Sequence, residues 1–343
     1  MISENISLKP FNTFGIDVNA HFFSTFDSVE KLSQLLEDFR HIPLLVLGGG
    51  SNILMTKHFD GLVLRNEIKG MEVVSENEND VIVKSGAGES WHEFVLFCIG
   101  NGFAGVENLS LIPGSVGASP MQNIGAYGVE IKQVFEKLEA FEIETGTIHT
   151  FDNEACEFGY RESVFKRKLK GKFIITQVYF KLSKSSLLNT TYGAIEVELK
   201  SKGIENPTIK DVSDAVIAIR RSKLPDPKEI GNAGSFFKNP VIEESQYLKI
   251  CEKYPDAPCY PAGEGKVKIP AGWLIETAGW KGKTISKTEG NTEAKYGVHK
   301  NQALVLVNYA GATGTEIFDL STNILKSISA EFGVDLEREV NIF

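Results

Sequence analysis

The chain has 343 residues, with 36 Lys and Arg against 45 Asp and Glu, a formal net charge of −9. Its 42% hydrophobic and 24% charged residues exclude wholesale disorder, and the length suits two or three domains. The acidic balance argues against nucleic acid or an anionic membrane surface as partner, no uncharged apolar run reaches the ~18–20 residues of a membrane span, and no signal peptide is read at the N-terminus.

Residues 27–39 read as a helix begun by a capping-box-like Asp27 and Glu30, with Val29, Leu32, Leu35, Leu36 and Phe39 on one face. Residues 43–47 read as a buried strand opening into Gly48, Gly49, Gly50, Ser51 and Asn52. Residues 61–65 read as a further strand, and the helix–strand alternation predicts a small α/β unit. Residues 71–76 and 80–84 flank a hairpin signal at 77–79, as do 138–144 and 147–151 at Thr145-Gly146, and 173–182 alternates as a strand. A helix carrying Trp91, Phe94, Val95, Cys98 and Ile99 interrupts this antiparallel α+β stretch. Thr208 and Asp211 open a helix over 208–221, ended by Leu224-Pro-Asp-Pro227. Residues 303–308 read as a strand and 315–332 as a long helix stopped by Gly333.

Gly100-Asn-Gly-Phe-Ala-Gly105 matches G-x-G-x-x-G but follows a helix and precedes loop, so its glycines are read as helix-ending rather than as a dinucleotide fingerprint. The glycines at 48–50 follow a buried strand, which suits either a tight turn or a main-chain cradle for an anion. Residues 112–128 hold four glycines, two prolines and no charge, the composition of a buried structural loop or of a segment wrapped on a phosphate-bearing cofactor. Cys98, Cys156, Cys251 and Cys259 form no C-x-x-C pair and read as reduced thiols, and six scattered histidines show no metal-ligand spacing. Arg161 sits among aromatics, where a guanidinium pairs with a carboxylate of protein or substrate, whereas the lysines at 166–172 read as a solvated turn. Arg220, Arg221, Lys223 and Lys228 read as a helix end complementing its dipole. Ser235 lies between a glycine and a Phe pair with no local His and Asp, so its plausible chemistry is proton transfer rather than nucleophilic attack. Glu339, four residues from the last, reads as solvent-facing on composition alone.

Together these segments resemble the UDP-N-acetylenolpyruvoylglucosamine reductase family, flavoenzymes of bacterial peptidoglycan (cell wall) synthesis. The resemblance runs in order through Asn12-Thr-Phe-Gly-Ile-Asp17, residues 48–52, Val106-Glu-Asn-Leu109, residues 112–128, Gly159-Tyr-Arg-Glu-Ser163, Lys223-Leu-Pro-Asp-Pro-Lys228, residues 231–240, Ala271-Gly-Trp-Leu-Ile275 and Gln302-Ala-Leu-Val-Leu306. Thr191-Tyr192-Gly193 resembles the tyrosine loop of its type I members. The resemblance implies an α+β flavoenzyme of three domains. Residues 1–68 and 69–223 would form a two-part FAD module of the vanillyl-alcohol-oxidase type, and 224–343 a substrate-binding domain whose C-terminal tail returns to the active site.

It further implies non-covalent FAD, NADPH as hydride donor, and reduction of UDP-N-acetylglucosamine enolpyruvate to UDP-N-acetylmuramate by a cytoplasmic, metal-free monomer. Ser235 falls at the family's proton donor, and Arg161 and Glu339 at its carboxylate-polarising pair. Tyr127, Tyr160, Tyr192, Arg220, Lys223, Asn239, Lys268 and Gln302 fall around the substrate. Besides residues 48–52, the resemblance assigns the flavin to Pro113, Gly114, Ser115, Gly117, Ala118, Ser119, Asn123, Gly125, Ala126 and Gly128. Two departures stand out: a chain end close after Glu339, expected to fray, and a long polar segment at 281–296 left without a role. The competing classes are an FAD-dependent oxidase of another substrate and a flavin-binding protein without catalysis. The glycine segments contain no His or Cys for a covalent flavin link, and both Ser235 and Glu339 are present.

Overall fold

Alternating apolar residues in the middle of the chain build a five-stranded antiparallel sheet, in the order Ile148–Asp152, Phe135–Glu142, Phe173–Ser183, Asp80–Gly86, Met71–Glu76. It belongs to the first of two units into which the computed structural model divides, formed by Met1–Ile6, Ala20–Gly50 and Asp60–Ser222. The structure describes residues 2–185, 188–286 and 293–343.

Two helices named in chain order explain how this unit packs. Helix α1 (Val29–Asp38) buries Leu32 and Leu35 with Phe26, Leu62 and Leu64. It covers a four-stranded sheet ordered Ser3–Ser7, Asn19–Phe26, Phe59–Asn66, Leu44–Leu47, whose last two strands pair in parallel. Its cap is Ser28, not Asp27: Ser28 has the extended backbone a capping residue needs and accepts from Lys31 N at 3.2 Å, while Asp27 makes an ion pair with Lys31 at 3.5 Å. Helix α2 (Trp91–Gly100) is capped by Ser90 and packs Trp91 and Phe94 against Phe180 of the large sheet. Each such side chain removed from water contributes about 1.5–3 kcal/mol. Gly102 and Gly105 take positive φ just beyond α2, so the G-x-G-x-x-G match is indeed the end of a helix. Burial pushes the Cys98 thiol far up and the Cys156 thiol up to about 12, so neither forms a thiolate at neutral pH.

Helices α3 (Gly193–Ser201) and α4 (Ile209–Lys223) pack through Ile195, Leu199, Val212, Val216 and Ile219. At α4 the expected capping box is present: Thr208 N donates to Asp211 Oδ2 at 2.8 Å and Asp211 N to Thr208 Oγ1 at 3.3 Å.

The second unit comprises Ser7–Asn19, Ser51–Phe59 and Lys223–Phe343. Its main antiparallel sheet runs Gly231–Ser235, Val305–Asn308, Ala294–Val298, Thr284–Ser286, and a smaller one Val241–Glu243, Lys266–Lys268, Tyr260–Pro261. The segment at 281–296 thus supplies Thr284–Ser286 and the start of Ala294–Val298, which pair antiparallel, and its residues 287–292 lie outside the described residues. Helices α5 (Glu244–Lys253), α6 (Ala271–Thr277) and α7 (Gly314–Phe332) complete the unit. Helix α7 has a Thr313–Glu316 capping box, buries Ile317, Leu320, Ile324 and Ile328, and ends at Gly333 with φ 65.

The chain end does not fray as expected. Asn341–Ile342 pairs in parallel with Ile53–Leu54, and Thr56 donates through N and Oγ1 to Phe343 O at 2.6 and 2.7 Å. Among the described residues no helix is long and apolar enough to cross a membrane.

At the start of α7, a Cβ on Gly314 would stand 1.7 Å from the carbonyl oxygen of Met55. Gly314→Ala is therefore expected to destabilise the protein by about 3 kcal/mol, read as an earlier thermal transition, because main chain must yield. An unchanged transition would show that the segment at Met55 moves freely.

Candidate functional site

In the first unit, strand Leu44–Leu47 delivers the glycine run to the uncharged loop of residues 112–128. A Cβ at Gly48 would lie 2.1 Å from Ser115 Oγ, and one at Gly49 2.7 Å from Gly114 Cα. The two segments singled out in the sequence therefore abut main chain to main chain. Ser51 and Asn52, which complete the run, belong to the second unit.

The loop is held by the protein's own hydrogen bonds. Trp91 N donates to Gly114 O at 3.0 Å, Val116 N to Glu89 O at 2.8 Å and Gly117 N to Ala87 O at 2.9 Å. Pro113 leads into these contacts and Ala118 lies exposed between them. Ser119 Oγ donates to Val116 O at 2.7 Å. Asn123, at φ 45, donates through Nδ2 to Glu130 Oε2 and Gly159 O and accepts from Lys132 N, so its amide fastens the loop. Gly125–Ala126 pairs with Val129–Glu130 across Tyr127-Gly128, both at positive φ. The small side chains and the lack of any carboxylate from 112 to 128 leave a surface that suits a phosphate-bearing ligand.

Beside this hairpin stands a cluster of cations and phenols. Arg161 has φ 55, donates from Nη2 to Gly125 O at 2.9 Å, and lies 5.7 Å from the Tyr160 ring centroid. Left-handed backbone at a non-glycine is uncommon and marks a position the surroundings impose. The neighbouring Arg167 and Lys168 pair with Glu157 at 3.2 and 2.7 Å, and the Lys168 hydrogen bond above all holds the Glu157 carboxyl below its usual range. These basic residues are the solvated turn the sequence suggested.

Arg220 departs from its helix-dipole reading: its Nε donates to Leu111 O at 3.2 Å, away from its own helix end. Burial pushes its guanidinium down from the ordinary value, the electrostatic attraction of nearby Tyr127 opposes that, and nearby Arg161 pushes it down further. Tyr127 meets Tyr192 edge-on, with ring centroids 5.3 Å apart. The fold thus gathers Tyr127, Tyr160, Arg161, Tyr192 and Arg220, while Lys223 stands exposed at the last residue of α4.

In the second unit a bulge shapes the other candidate group. Strand Gly231–Ser235 pairs with Val305–Asn308 but slips between Asn232 and Ser235, where Gly234 takes φ 68. Ser235 is part-exposed and precedes the fully buried Phe236 and Phe237. The terminal segment runs antiparallel beside it: Glu339 N donates to Phe236 O at 2.8 Å and Lys238 N to Glu337 O at 2.9 Å. Ser235 and Glu339, 104 positions apart, are brought together by this pairing. Asn52 Nδ2 reaches Glu339 O at 3.5 Å. Arg338 anchors the segment by donating to Ser321 Oγ and Thr322 Oγ1 of α7 at 2.8 and 2.7 Å. Asn239 Oδ1 accepts from Ala271 N at the start of α6 at 2.9 Å. Gln302 Oε1 accepts from Leu304 N beside the Ser235 strand, and Lys268 pairs in register with Val241 and Tyr260.

Two further residues of this region have no role legible in the sequence, although Asn108 lies in the Val106–Leu109 block. Asn108 Nδ2 bridges Tyr127 O and Asn189 O, and its Oδ1 is buried with no partner among the described residues. His92 accepts from Leu111 N at 3.0 Å, directly before the glycine loop.

The family model described as "UDP-N-acetylenolpyruvoylglucosamine reductase, C-terminal domain" matches residues 226–343, and the one described as "FAD binding domain" matches residues 21–152. The chain is 52% identical over 342 residues to a UDP-N-acetylenolpyruvoylglucosamine reductase of Flavobacterium johnsoniae, covering 99% of each chain. It is 50% identical over 343 residues to that of Amoebophilus asiaticus, again covering 99% of each. In fold it is similar to the crystal structure of UDP-N-acetylenolpyruvylglucosamine reductase from Thermus caldophilus, with TM-score 0.69, 22% identity and full coverage of both chains.

Proposed function

The chain belongs to the UDP-N-acetylenolpyruvoylglucosamine reductase family and is an FAD-dependent oxidoreductase of peptidoglycan synthesis, using NADPH to reduce UDP-N-acetylglucosamine enolpyruvate, and we propose how its residues divide that work. Residues 1–68 and 69–223 are assigned to the flavin and 224–343 to the substrate; the FAD match at 21–152 and the C-terminal match at 226–343 support a flavin part followed by a substrate part, while residues 7–19 and 51–59 fall in the second unit. The cradle at Gly48 and Gly49 against Gly114 and Ser115 fits the FAD pyrophosphate, with main-chain N–H groups as donors. When bound, FAD carries hydride from NADPH to the enolpyruvyl double bond.

The protein's own part is to hold and polarise. Hydride addition to an unsaturated carboxylate builds enolate charge, so donors aimed at that carboxylate lower the barrier. Arg161, whose fork is already oriented by Gly125 O, supplies one cationic donor, and Glu339 completes the pair through a proton on its carboxyl. Ser235 delivers the proton to the adjacent carbon by general acid catalysis. Arg220, Lys223 and Lys268 neutralise the diphosphate, and Tyr127, Tyr160, Tyr192, Asn239 and Gln302 orient the sugar nucleotide. NADPH and UDP-sugars are cytosolic compounds, which supports a cytoplasmic enzyme. Its exposed large hydrophobics are dispersed among many elements, which supports a monomer.

The observation that carries the reading is the pairing of Glu339 with Phe236 beside Ser235, within a chain of this family. NADPH oxidation by the flavin-loaded protein, followed with and without the enolpyruvyl substrate, checks it. Turnover is expected only with substrate, and equal rates would contradict the reading. A narrower check bears on the cradle: Gly49→Ala sets a Cβ against the main chain of Gly114 and is expected to weaken FAD binding at least tenfold, about 1.4 kcal/mol. FAD affinity equal to the parent's would remove Gly49 from the cradle.

A further inference from the structure

Leu111 adopts φ 57, a left-handed conformation that costs a branched residue energy, immediately before the loop at 112–128. Side chains from two helices hold it on either side. Its N–H donates to Nδ1 of His92 on α2 at 3.0 Å, and its carbonyl accepts from Nε of Arg220 on α4 at 3.2 Å. An imidazole that accepts through Nδ1 is neutral and carries its proton on Nε2. Arg220 stands near Tyr127, which packs edge-on against Tyr192.

We propose that neutral His92 is a positioning residue for substrate binding: it fixes Leu111, whose carbonyl aims the Arg220 guanidinium, so protonation of His92 releases that aim and weakens the hold on a diphosphate. The inference rests on Arg220 as a diphosphate ligand.

The electrostatic surroundings favour the neutral ring. Burial is the largest influence and pushes its pKa below the ordinary value. Glu93 on the same helix opposes this, and Arg221 and Arg220 on α4 push it down further. With the folded value depressed, the acceptor is intact at neutral pH. It is lost as pH falls through that depressed value, below the usual histidine range.

Equilibrium binding of UDP-N-acetylglucosamine to the flavin-loaded enzyme, from about pH 5 to about pH 8, tests this with a probe whose diphosphate has no monoester proton to titrate. The parent enzyme is expected to bind about three- to tenfold more weakly at the acid end. His92→Asn keeps an acceptor near the Nδ1 position and does not titrate, so its affinity is expected to stay near the parent's neutral-pH value throughout. His92→Leu, with no acceptor, is expected to bind weakly at every pH. An acid limb shared by the parent and His92→Asn would overturn the proposal, as would full affinity in His92→Leu; should His92→Leu not fold, the His92→Asn profile decides alone. Arg220→Met separates the premise from the inference. Unchanged binding in Arg220→Met removes the diphosphate role and the proposal with it. Weakened binding in Arg220→Met beside full affinity in His92→Leu removes the proposal alone.

Discussion

Replacing Ser235 by alanine is expected to leave flavin reduction by NADPH near its parent rate while slowing flavin reoxidation by the enolpyruvyl substrate about 10²–10⁴-fold, the usual contribution of a positioned general acid. The split follows from place and chemistry. Ser235 sits at a bulge whose backbone is fixed by Gly234 at φ 68 and by the buried Phe236 and Phe237, so losing one hydroxyl leaves the strand intact. Only the half-reaction that needs a proton on carbon then suffers. Rapid-mixing absorbance of each half-reaction measures both rates, and equal losses would make Ser235 a structural residue.

Arg161→Lys is the second large effect. Lysine keeps the charge but not the planar fork, and cannot at once donate to Gly125 O and span a carboxylate. Substrate-driven reoxidation is expected to fall about 10²–10³-fold, the range seen when one preorganised donor to a developing oxyanion is removed, with NADPH-driven reduction unchanged. Flavin content equal to the parent's shows that the turn at Arg161 survives. A parental reoxidation rate in such a protein would assign Arg161 to the turn alone.

What the sequence made legible follows from how local each signal is. Capping boxes at Thr208 and the hairpin at 77–79 depend on neighbours a few residues apart, and both stand in the structure. Helices α3, α5 and α6 carry little sequence signal. Helix α5 buries a single side chain, Ile250, so its apolar period is faint, and α6 has only seven residues. The cap of α1 was displaced by one residue because Asp27 and Ser28 are both cap formers, and only backbone geometry chooses between them.

The candidate site was legible chiefly through family resemblance. Nothing near Glu339 in sequence announces it, since its position depends on main-chain pairing with Phe236, far away in the chain. Arg220 at a helix end reads as a dipole partner until its Nε is seen on Leu111 O. His92 and Asn108 are invisible for the same reason: each acts through a backbone group of a distant segment.

The activity that defines this protein is the transfer of reducing equivalents from NADPH to an enolpyruvyl double bond. Its most direct test is to reduce the flavin-loaded enzyme with NADPH in the absence of oxygen and then add UDP-N-acetylglucosamine enolpyruvate. The flavin absorbance near ~450 nm should return at once, with UDP-N-acetylmuramate formed. Absorbance that returns only when oxygen is admitted, with the enolpyruvyl compound unchanged, would contradict the account and favour an oxidase.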